Sequence, residues 1–401
     1  MILNKRVALS LAAACAVGGI VISGSAKAAT LAEDQAYLAS YSCSDSVYGT
    51  SGTYWDSTGA GYSRSTYDSS CVTGHTSNTP GSVVTAVSTL RAATTQTVGL
   101  ITDRLGALRS SNGKGAPVHA SISEDKSSGE FGLSGGDMKR GIGIWVQGTF
   151  SGVDNDAVAT KFDGNVYTIM AGVDKKIGSK AVIGLAAGYE NSDLDTDYNL
   201  GDIEGDGYLV APYLSVSLND TFSIDVNAGY AWLDYDMKRT DATNSELFTG
   251  TTDATRYWGA ISANGDWQRN KLGYGASLGV IYSKENRDAF NETGATTGSV
   301  SQASVSSKLG QARLGGEVSY DLGKVEPYAS ARLEYDFTKT KTTVASTQTA
   351  PADDDLGATL GAGLNLKLSP SITGHIGGEY GGFFREDYKD YSATARLRVE
   401  F

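Results

Sequence analysis

The amino-acid sequence predicts an all-β protein, a twelve-stranded antiparallel β-barrel of the membrane-spanning kind, preceded by one α-helix and a short N-terminal segment. From residue 141 onward, apolar and polar residues alternate along one segment after another, which is the period of a strand with one apolar face. Tight turns and longer polar connections alternate between these segments. The composition, with 50 Gly and 22 Tyr but only 6 Pro, also suits a β-rich exported chain.

The first 28 residues have the organisation of a secretory signal peptide. Basic residues at positions 5 and 6 precede an apolar run over residues 7–22, and Ala26-Lys27-Ala28 supplies the small-x-small pattern at which such signals are cleaved. Mature protein is therefore expected from about Ala29. A lipoprotein signal at Cys15 is the less favoured alternative. No later stretch has the roughly 18 consecutive apolar residues of a membrane helix, so any membrane crossing must be made by strands.

Charge and cysteine content narrow the classes of partner and compartment. Losing Lys5, Arg6 and Lys27 with the signal lowers the Lys plus Arg count from 33 to 30 against 45 acidic residues, which leaves a charge of about −15. Such a charge disfavours a nucleic-acid partner. The mature chain keeps Cys43 and Cys71, an even pair in an exported protein, and they are disulfide candidates. Two free thiols are the alternative.

Residues 29–81 are a short exported segment rich in Ser, Thr, Gly and Tyr. A sizeable apolar core is not expected at this length. The tyrosines suggest adhesive surface contacts, but a loosely ordered polar chain is the favoured interpretation.

A helix is predicted over residues 82–110, with Ser82 as its N-cap, because apolar residues recur at helical spacing as far as Leu108. A helix of this length is roughly 40 Å long, enough to run through the height of a membrane barrel, so we expect it in the lumen. An amphipathic helix packed in the periplasm or on a partner is the alternative. Residues 111–140 form a Gly/Ser-rich linker to the barrel.

The barrel itself is predicted over residues 141–401. In its fifth strand Phe222, Val226 and Trp232 share an apolar face, and Ser223 and Asp225 share a polar one. An apolar outside and a polar inside is the rule of a membrane barrel. The twelve predicted strands run over about 142–151, 165–177, 180–192, 203–218, 221–238, 254–268, 271–285, 304–321, 324–341, 355–368, 371–385 and 388–401.

The connections define two rims. Tight turns are predicted near residues 178–179, 219–220, 269–270, 322–323 and 369–370. Longer polar connections are predicted near residues 152–164, 193–202, 239–253, 286–303 and 342–354, with a shorter one at 386–387. Short periplasmic turns and longer external loops are typical of outer-membrane barrels. An even strand count then places residues 141 and 401 at the same, periplasmic rim.

The last strand ends the chain on an aromatic residue. Tyr391, Leu397, Val399 and Phe401 lie on its apolar face, and a terminal strand that ends in Phe resembles the signal read by the outer-membrane insertion machinery. Taken alone, this strand could also be an ordinary edge strand that happens to end at Phe401.

The predicted lumen face carries glycines and mixed charges. Glycines such as Gly184, Gly279 and Gly377 have no side chain and leave space for a plug inside the barrel. The alternative is that these glycines relieve the curvature of the sheet. The charges can pair across neighbouring strands or solvate a pore. The predicted lumen charges are Arg313, Glu317, Arg332, Glu334, Glu379, Arg396 and Arg398.

Catalysis has little support in the sequence. His375 is predicted to point inward near Glu379, but no nucleophile beside it can be singled out because Ser and Thr are abundant. A hydrolase therefore stays a minor hypothesis, and no cofactor is expected.

An acidic connection is predicted to begin at Asp193. Asp195, Asp197 and Glu204 continue an EF-hand-like spacing there, but Tyr198 replaces the glycine that such a loop needs and strands flank it. A solvated surface loop is favoured over a calcium site.

Residues 141–401, about two thirds of the chain, resemble the translocator domain of autotransporters, the type V secretion family. The resemblance implies a twelve-stranded barrel, a helix that threads its lumen and an N-terminal passenger delivered to the cell surface. Here the passenger-like segment is short, and a linker separates the helix from the first strand. The matching stretches are Gly143-Ile144-Trp145-Val146-Gln147-Gly148, Gly184-Leu185-Ala186-Ala187-Gly188-Tyr189, Asn227-Ala228-Gly229-Tyr230 and Arg396-Leu397-Arg398-Val399-Glu400-Phe401.

The expected function is therefore to translocate, anchor and display residues 29–81 at the cell surface. Expected partners are outer-membrane lipid and lipopolysaccharide, the barrel-assembly machinery and periplasmic chaperones, with any surface ligand unidentified; a monomer is expected. The alternative is a channel or porin-like barrel whose N-terminal part stays periplasmic.

Overall fold

The computed structural model describes residues 52–55, 61–64, 84–110, 142–178, 180–241, 246–342, 344, 351–369 and 372–399. Cys43, Cys71 and Phe401, together with the predicted signal peptide and linker, lie outside the described residues. The chain divides into two units, residues 1–78 with 242–245 and residues 79–241 with 246–401. In the first unit, β1 (Gly52–Trp55) and β2 (Gly61–Arg64) form an antiparallel hairpin in which Tyr54 lies opposite Tyr62.

The second unit contains one long helix and a large sheet. The helix, α1, runs over Ala86–Ser110. The predicted cap Ser82 lies outside the described residues. The strands are β3 (Ile142–Asn155), β4 (Phe162–Ile177), β5 (Ala181–Thr196), β6 (Gly201–Ser217), β7 (Phe222–Thr240), β8 (Leu247–Arg269), β9 (Leu272–Arg287), β10 (Phe290–Gly294), β11 (Gly298–Gln302), β12 (Val305–Tyr320), β13 (Val325–Lys339), β14 (Leu356–Ser369), β15 (Ile372–Phe383) and β16 (Tyr388–Val399).

Twelve of these strands close into an antiparallel barrel. The sheet has fourteen strands, of which β10 and β11 form a hairpin inside the connection between β9 and β12. The other twelve pair with their neighbours in chain order, and β16 pairs with β3 to close the ring, Ala393 lying opposite Phe150. The predicted twelve-stranded fold is confirmed.

The outer face of the barrel is an apolar belt bounded by aromatic residues. Leu185, Ile261 and Leu278 project outward, each with more than half of the residue surface exposed. Phe222 lies at one edge of this belt, and Trp232 lies on the same face of the same strand near the other edge. Ten residue steps at about 3.3 Å along a strand tilted by about 40° give a belt roughly 25 Å tall, which is the height of a membrane-spanning barrel.

Two rims follow from the lengths of the connections. On what we call the turn rim, the strands are joined through residues 178–180, 218–221, 270–271, 321–324 and 370–371. On the opposite loop rim they are joined through residues 156–161, 197–200, 241–246, 288–304, 340–355 and 384–387. The loop rim is the one with the long connections, as predicted.

Several strands extend further toward the loop rim than the alternation of residues predicted. The predicted connection over 193–202 is wrong, because Asp193 and Asp195 lie in β5, opposite Glu204 and Asp202 of β6, and only residues 197–200 join the two strands. Strands beyond the apolar belt have a polar outer face, since water surrounds them there. The apolar periodicity therefore ends before the hydrogen-bonded ladder does.

In the part of the chain that the structure describes, no helix has the length and apolar character that a membrane crossing requires.

Candidate functional site in the barrel lumen

Helix α1 lies inside the barrel, held by ion pairs to opposite sides of its wall. Arg91 donates from both terminal nitrogens to Asp336 of β13, over 3.1 and 2.7 Å. Arg104 donates to both oxygens of Asp174 of β4, over 2.8 and 3.0 Å. Because β4 and β13 face each other across the ring of twelve strands, a helix that contacts both must occupy the lumen.

The two anchors also fix the direction of the helix. Asp336 is near the end of β13 that leads into the loop rim, and Asp174 is near the end of β4 that leads into the turn rim. Arg91 belongs to the first turns of α1 and Arg104 to the last. The helix therefore enters the lumen at the loop rim and ends toward the turn rim.

The loop-rim anchor is a shared carboxylate. Asp336 is buried and also accepts hydrogen bonds from Arg385, over 2.8 Å, and from Gln311, over 2.9 Å. Arg385 lies in the connection between β15 and β16, directly after Phe384, whose φ of 67° turns the chain sharply. The Arg91 guanidinium also lies over the Tyr388 ring, 5.5 Å from its centroid. Arg91 and Arg385 thus both pair with one buried carboxylate, which is costly to leave unpaired.

The turn-rim anchor belongs to a chain of hydrogen bonds along the wall. Tyr213 donates to Asp174 over 3.1 Å, and Trp145 donates from its indole nitrogen to the Tyr213 hydroxyl over 2.7 Å. The Tyr213 ring covers Gly184, where a Cβ atom would overlap it. At Gly184, therefore, the space left by the missing side chain is filled by an aromatic ring from a neighbouring strand and not by the helix.

Between the anchors, a glutamine fixes the rotation of the helix. Gln96 donates to the Ser151 hydroxyl and to the Val166 carbonyl, each over 2.8 Å, and accepts from Thr168 over 2.6 Å. Every polar atom of its amide group has a partner on β3 or β4. A buried amide with these partners allows one orientation of the helix.

One face of α1 packs against strands β3, β4, β6 and β7, and we call β3–β7 the packed half. Ile101 and Leu105 are fully buried there, in a cluster that includes Met170, Leu209 and Ala211. These inward side chains are apolar, against the general rule of a polar barrel interior. The helix supplies the apolar surface that makes them stable.

The other face of α1 borders a cavity of about 330 Å³. Its wall is formed mainly by β9 and β12–β16, which we call the open half, and Gly275, Gly279 and Gly377 contribute to it. Five of the seven predicted lumen charges line this cavity: Arg313, Glu317, Arg332, Glu334 and Glu379. The backbones of Arg396 and Arg398 pair with β15, and their side chains lie outside the described part of the structure.

The cavity charges partly neutralise one another. Arg332 donates to Glu334 over 2.8 Å and to Glu379 over 3.3 Å. Arg313 donates to the Thr95 hydroxyl of the helix over 2.7 Å. His375 bonds Asn365 over 2.9 Å and stacks on Tyr328, with ring centroids 5.5 Å apart. Through these contacts the His375 side chain, on β15, is held against Asn365 of β14 and Tyr328 of β13.

A second group of charges was missed by the sequence analysis. Arg256 of β8 donates to Glu190 of β5 over 2.8 Å and to Glu285 of β9 over 2.9 Å, and Arg287 also donates to Glu285. A further buried pair joins β7 to β10, where Arg239 donates to Glu292 over 2.9 Å. All six side chains are buried and their charges balance. Their inward parity on the strands is readable in the sequence, but their mutual contact requires the closed ring.

In the described residues, no group of three or more His, Cys, Asp and Glu side chains is arranged to hold a metal ion. Asp193 and Asp195 point outward from β5, and the Asn199 side chain is buried and accepts from Thr196 over 2.5 Å. The EF-hand-like spacing therefore does not correspond to a loop that encloses an ion.

Comparison with known proteins agrees with this architecture. The family model described as "Autotransporter beta-domain" matches residues 144–379. The translocator domain of the autotransporter NalP from Neisseria meningitidis has a similar structure, with a TM-score of 0.55, 16% identity, and coverage of 65% of this chain and 89% of that one. The β-domain of the Bordetella autotransporter Brka gives a TM-score of 0.50, 16% identity, and coverage of 65% and 100%. At these identities the likeness concerns the fold.

A sequence relative is the uncharacterised protein YaiT of Escherichia coli (strain K12). It is 27% identical over 145 residues, which are 35% of this chain and only 14% of that one.

Proposed function

Because this chain belongs to the autotransporter β-domain family, we propose that its barrel carries residues 29–81 across the outer membrane and keeps them at the cell surface. By this membership the protein is an outer-membrane transport barrel. Residues 29–81 are the segment that we propose is transported, and the cell surface is its proposed final location.

The observation that supports the proposal is the direction of α1. Its Arg91 end lies at the loop rim and its Arg104 end toward the turn rim. In outer-membrane barrels the long connections face the outside and the short turns face the periplasm. A chain that enters the helix from the loop rim comes from the outside, which supports the proposal that the barrel carries the residues before α1 across the membrane.

Retention follows from the same contacts. Two buried ion pairs, the Gln96 amide contacts and the apolar face with Ile101 and Leu105 all hold the helix in the lumen. Breaking a buried ion pair by removing one partner costs about 3–5 kcal/mol. A helix held at several such points anchors whatever precedes it.

Protease accessibility in intact cells tests the proposed topology. A protease recognition site inserted between residues 71 and 82 is expected to be cut by protease added to intact cells. The matched control is the same site inserted between residues 115 and 135, beyond the turn-rim end of α1, which should be cut only after the outer membrane is permeabilised. Protection of the first site until permeabilisation would support the alternative, a channel with a periplasmic N-terminal part.

Insertion by the barrel-assembly machinery is proposed to use the final strand. Deleting Phe401 should lower the amount of heat-modifiable barrel in the outer membrane while export across the inner membrane continues, because the terminal aromatic residue would be part of the signal with Tyr391, Leu397 and Val399. Wild-type amounts of heat-modifiable barrel after the deletion would contradict this role.

A further inference from the structure

A ring of aromatic residues marks the level at which the apolar belt ends on its loop-rim side. Tyr230 of β7, Tyr257 of β8 and Tyr282 of β9 point outward on neighbouring strands, and Tyr230 lies opposite Tyr257. Aromatic residues in such a ring lie among lipid head groups. The next outward residues toward the loop rim, two positions further along each strand, therefore face head groups and water.

Two lysines occupy that level on neighbouring strands. Lys284 is the next outward residue after Tyr282 on β9, and Lys308 lies directly opposite it on β12. On the membrane side of Lys308, Gly310 has no side chain, and a Cβ atom built there would overlap the ring of Phe337 from β13. Each lysine thus has an aromatic ring beside it on the side of the apolar belt.

These two lysines lack the carboxylate partners that other lysines near the loop rim have. Lys161 and Lys238 each pair with an aspartate, over 2.6 and 2.7 Å. Within the described part of the chain, neither Lys284 nor Lys308 forms an ion pair. Residues directly opposite each other on neighbouring strands have Cβ atoms about 5 Å apart, a distance at which like charges repel. The pair is therefore a cationic site that has no counter-ion among the described residues.

The charge just beyond the aromatic ring has the opposite sign on another part of the wall. On β6, Asp206 is the next outward residue after Tyr208. On β7, Asp234 follows Trp232 in the same way and lies directly opposite Asp206. These carboxylates repel the anions that the lysines attract. An anionic group at the outer surface of the membrane is thus directed to β9 and β12.

The level of the lysine pair indicates which class of anion fits it. The pair lies on the loop-rim side, which in outer-membrane barrels faces the outside. Below it on β9, Val280 and Leu278 are exposed and face the acyl chains, so the phosphate groups of the same lipids lie beside the lysines. A phosphomonoester carries about −1.5 to −2 charges at pH 7, which matches two adjacent ammonium groups, and lysine binds phosphate as a point charge.

We propose that Lys284 and Lys308 together bind a phosphate group of lipopolysaccharide in the outer leaflet of the membrane. The phosphate supplies the counter-ion that the described residues do not provide, and it relieves the repulsion between the two lysines. Its attachment to a lipid is inferred from the position of the site directly above the apolar belt. This binding is separate from display and does not depend on where residues 29–81 lie.

Lipid binding to the purified protein tests this assignment. Full-length protein folded in detergent is titrated with bisphosphorylated lipid A, and the bound lipid is measured by native mass spectrometry. Lys284→Gln/Lys308→Gln should bind this lipid roughly 25-fold more weakly than the wild type, at about fivefold for each lysine. Lys284→Arg/Lys308→Arg keeps both charges and should retain most of the affinity. Heat modifiability in gel electrophoresis verifies that each variant has folded.

The matched control is Lys161→Gln/Lys238→Gln, which removes the same charge from lysines that already have aspartate partners and should bind like the wild type. Lipid A without its phosphates should bind the wild type and Lys284→Gln/Lys308→Gln alike. Phosphatidylglycerol and inorganic phosphate should bind the wild type more weakly than bisphosphorylated lipid A.

The proposal is overturned if the two glutamine double variants bind bisphosphorylated lipid A alike, or if the arginine variant loses as much affinity as Lys284→Gln/Lys308→Gln. It is also overturned if removing the phosphates from lipid A leaves binding to the wild type unchanged. Equally tight binding of phosphatidylglycerol or of inorganic phosphate would assign the lysines to another lipid or to a free anion.

Discussion

The packed half and the open half of the barrel wall surround the same helix in opposite ways. Strands β3–β7 present Met170, Leu209 and Ala211 to buried apolar residues of α1. Strands β9 and β12–β16 present glycines and ionised side chains to a cavity. The first half is covered by apolar residues of the helix and the second borders a cavity, although both are inner faces of one sheet.

The difference shows that the inner face of a barrel has no single required polarity. An inward residue can be apolar wherever the helix covers it, because burial then stabilises it by roughly 25 cal/mol per Å². Charges lie either beside the cavity, which leaves space for water, or in a balanced group such as Arg256 and Arg287 with Glu190 and Glu285. Three substitution pairs test this division.

The largest contrast is expected between two inward arginines. Arg256→Ala leaves Glu190 and Glu285 buried without their shared cation and should lower the free energy of unfolding by about 3–5 kcal/mol. Arg313→Ala, beside the cavity, should lower it by about 1 kcal/mol because water replaces the lost contacts. Guanidinium unfolding of the purified barrel in detergent, followed by tryptophan fluorescence, measures both. Similar losses would show that water does not reach Arg313.

A second contrast compares adjacent residues on opposite faces of the helix. Ile101→Ala removes a fully buried side chain from the packed half and should lower the free energy of helix opening by about 2–5 kcal/mol. Thr102→Ala, which lines the cavity, should change it by less than about 0.5 kcal/mol. Hydrogen exchange of the α1 amides measures the opening free energy of each variant. A large effect of Thr102→Ala would mean that the cavity face is packed.

The smallest contrast concerns the two anchors. Arg104→Ala leaves Asp174 with the Tyr213 hydroxyl, whereas Arg91→Ala leaves Asp336 with Arg385 and Gln311. The opening free energy of α1 should therefore fall by about 1–2 kcal/mol more in Arg104→Ala than in Arg91→Ala. The same hydrogen-exchange measurement decides it, with Arg104→Lys as the control that keeps the charge. An equal loss in both would mean that Arg385 does not compensate for Arg91.

The sequence predicted best the inward or outward direction of a side chain, which depends only on the strand that carries it. In β7, Val226 and Trp232 point outward and Ser223 and Asp225 inward, as two-residue periodicity requires. The same rule identified Arg313, Glu317 and Glu379 as inward residues, and all three line the cavity. It was wrong at the acidic stretch from Asp193, because beyond the lipid the outer face is polar and the periodicity of apolar residues no longer marks the strand.

The sequence by itself determined the number of barrel strands, the order of short and long connections and the inward or outward direction of most side chains, because each depends on local periodicity. Only the tertiary structure decided which inward residues meet. Arg91 and Asp336 are far apart in the chain, and Arg256, Glu190 and Glu285 come from three strands. Closing the sheet sets these distances, and docking the helix decides which inward residues pack against it and which line the cavity.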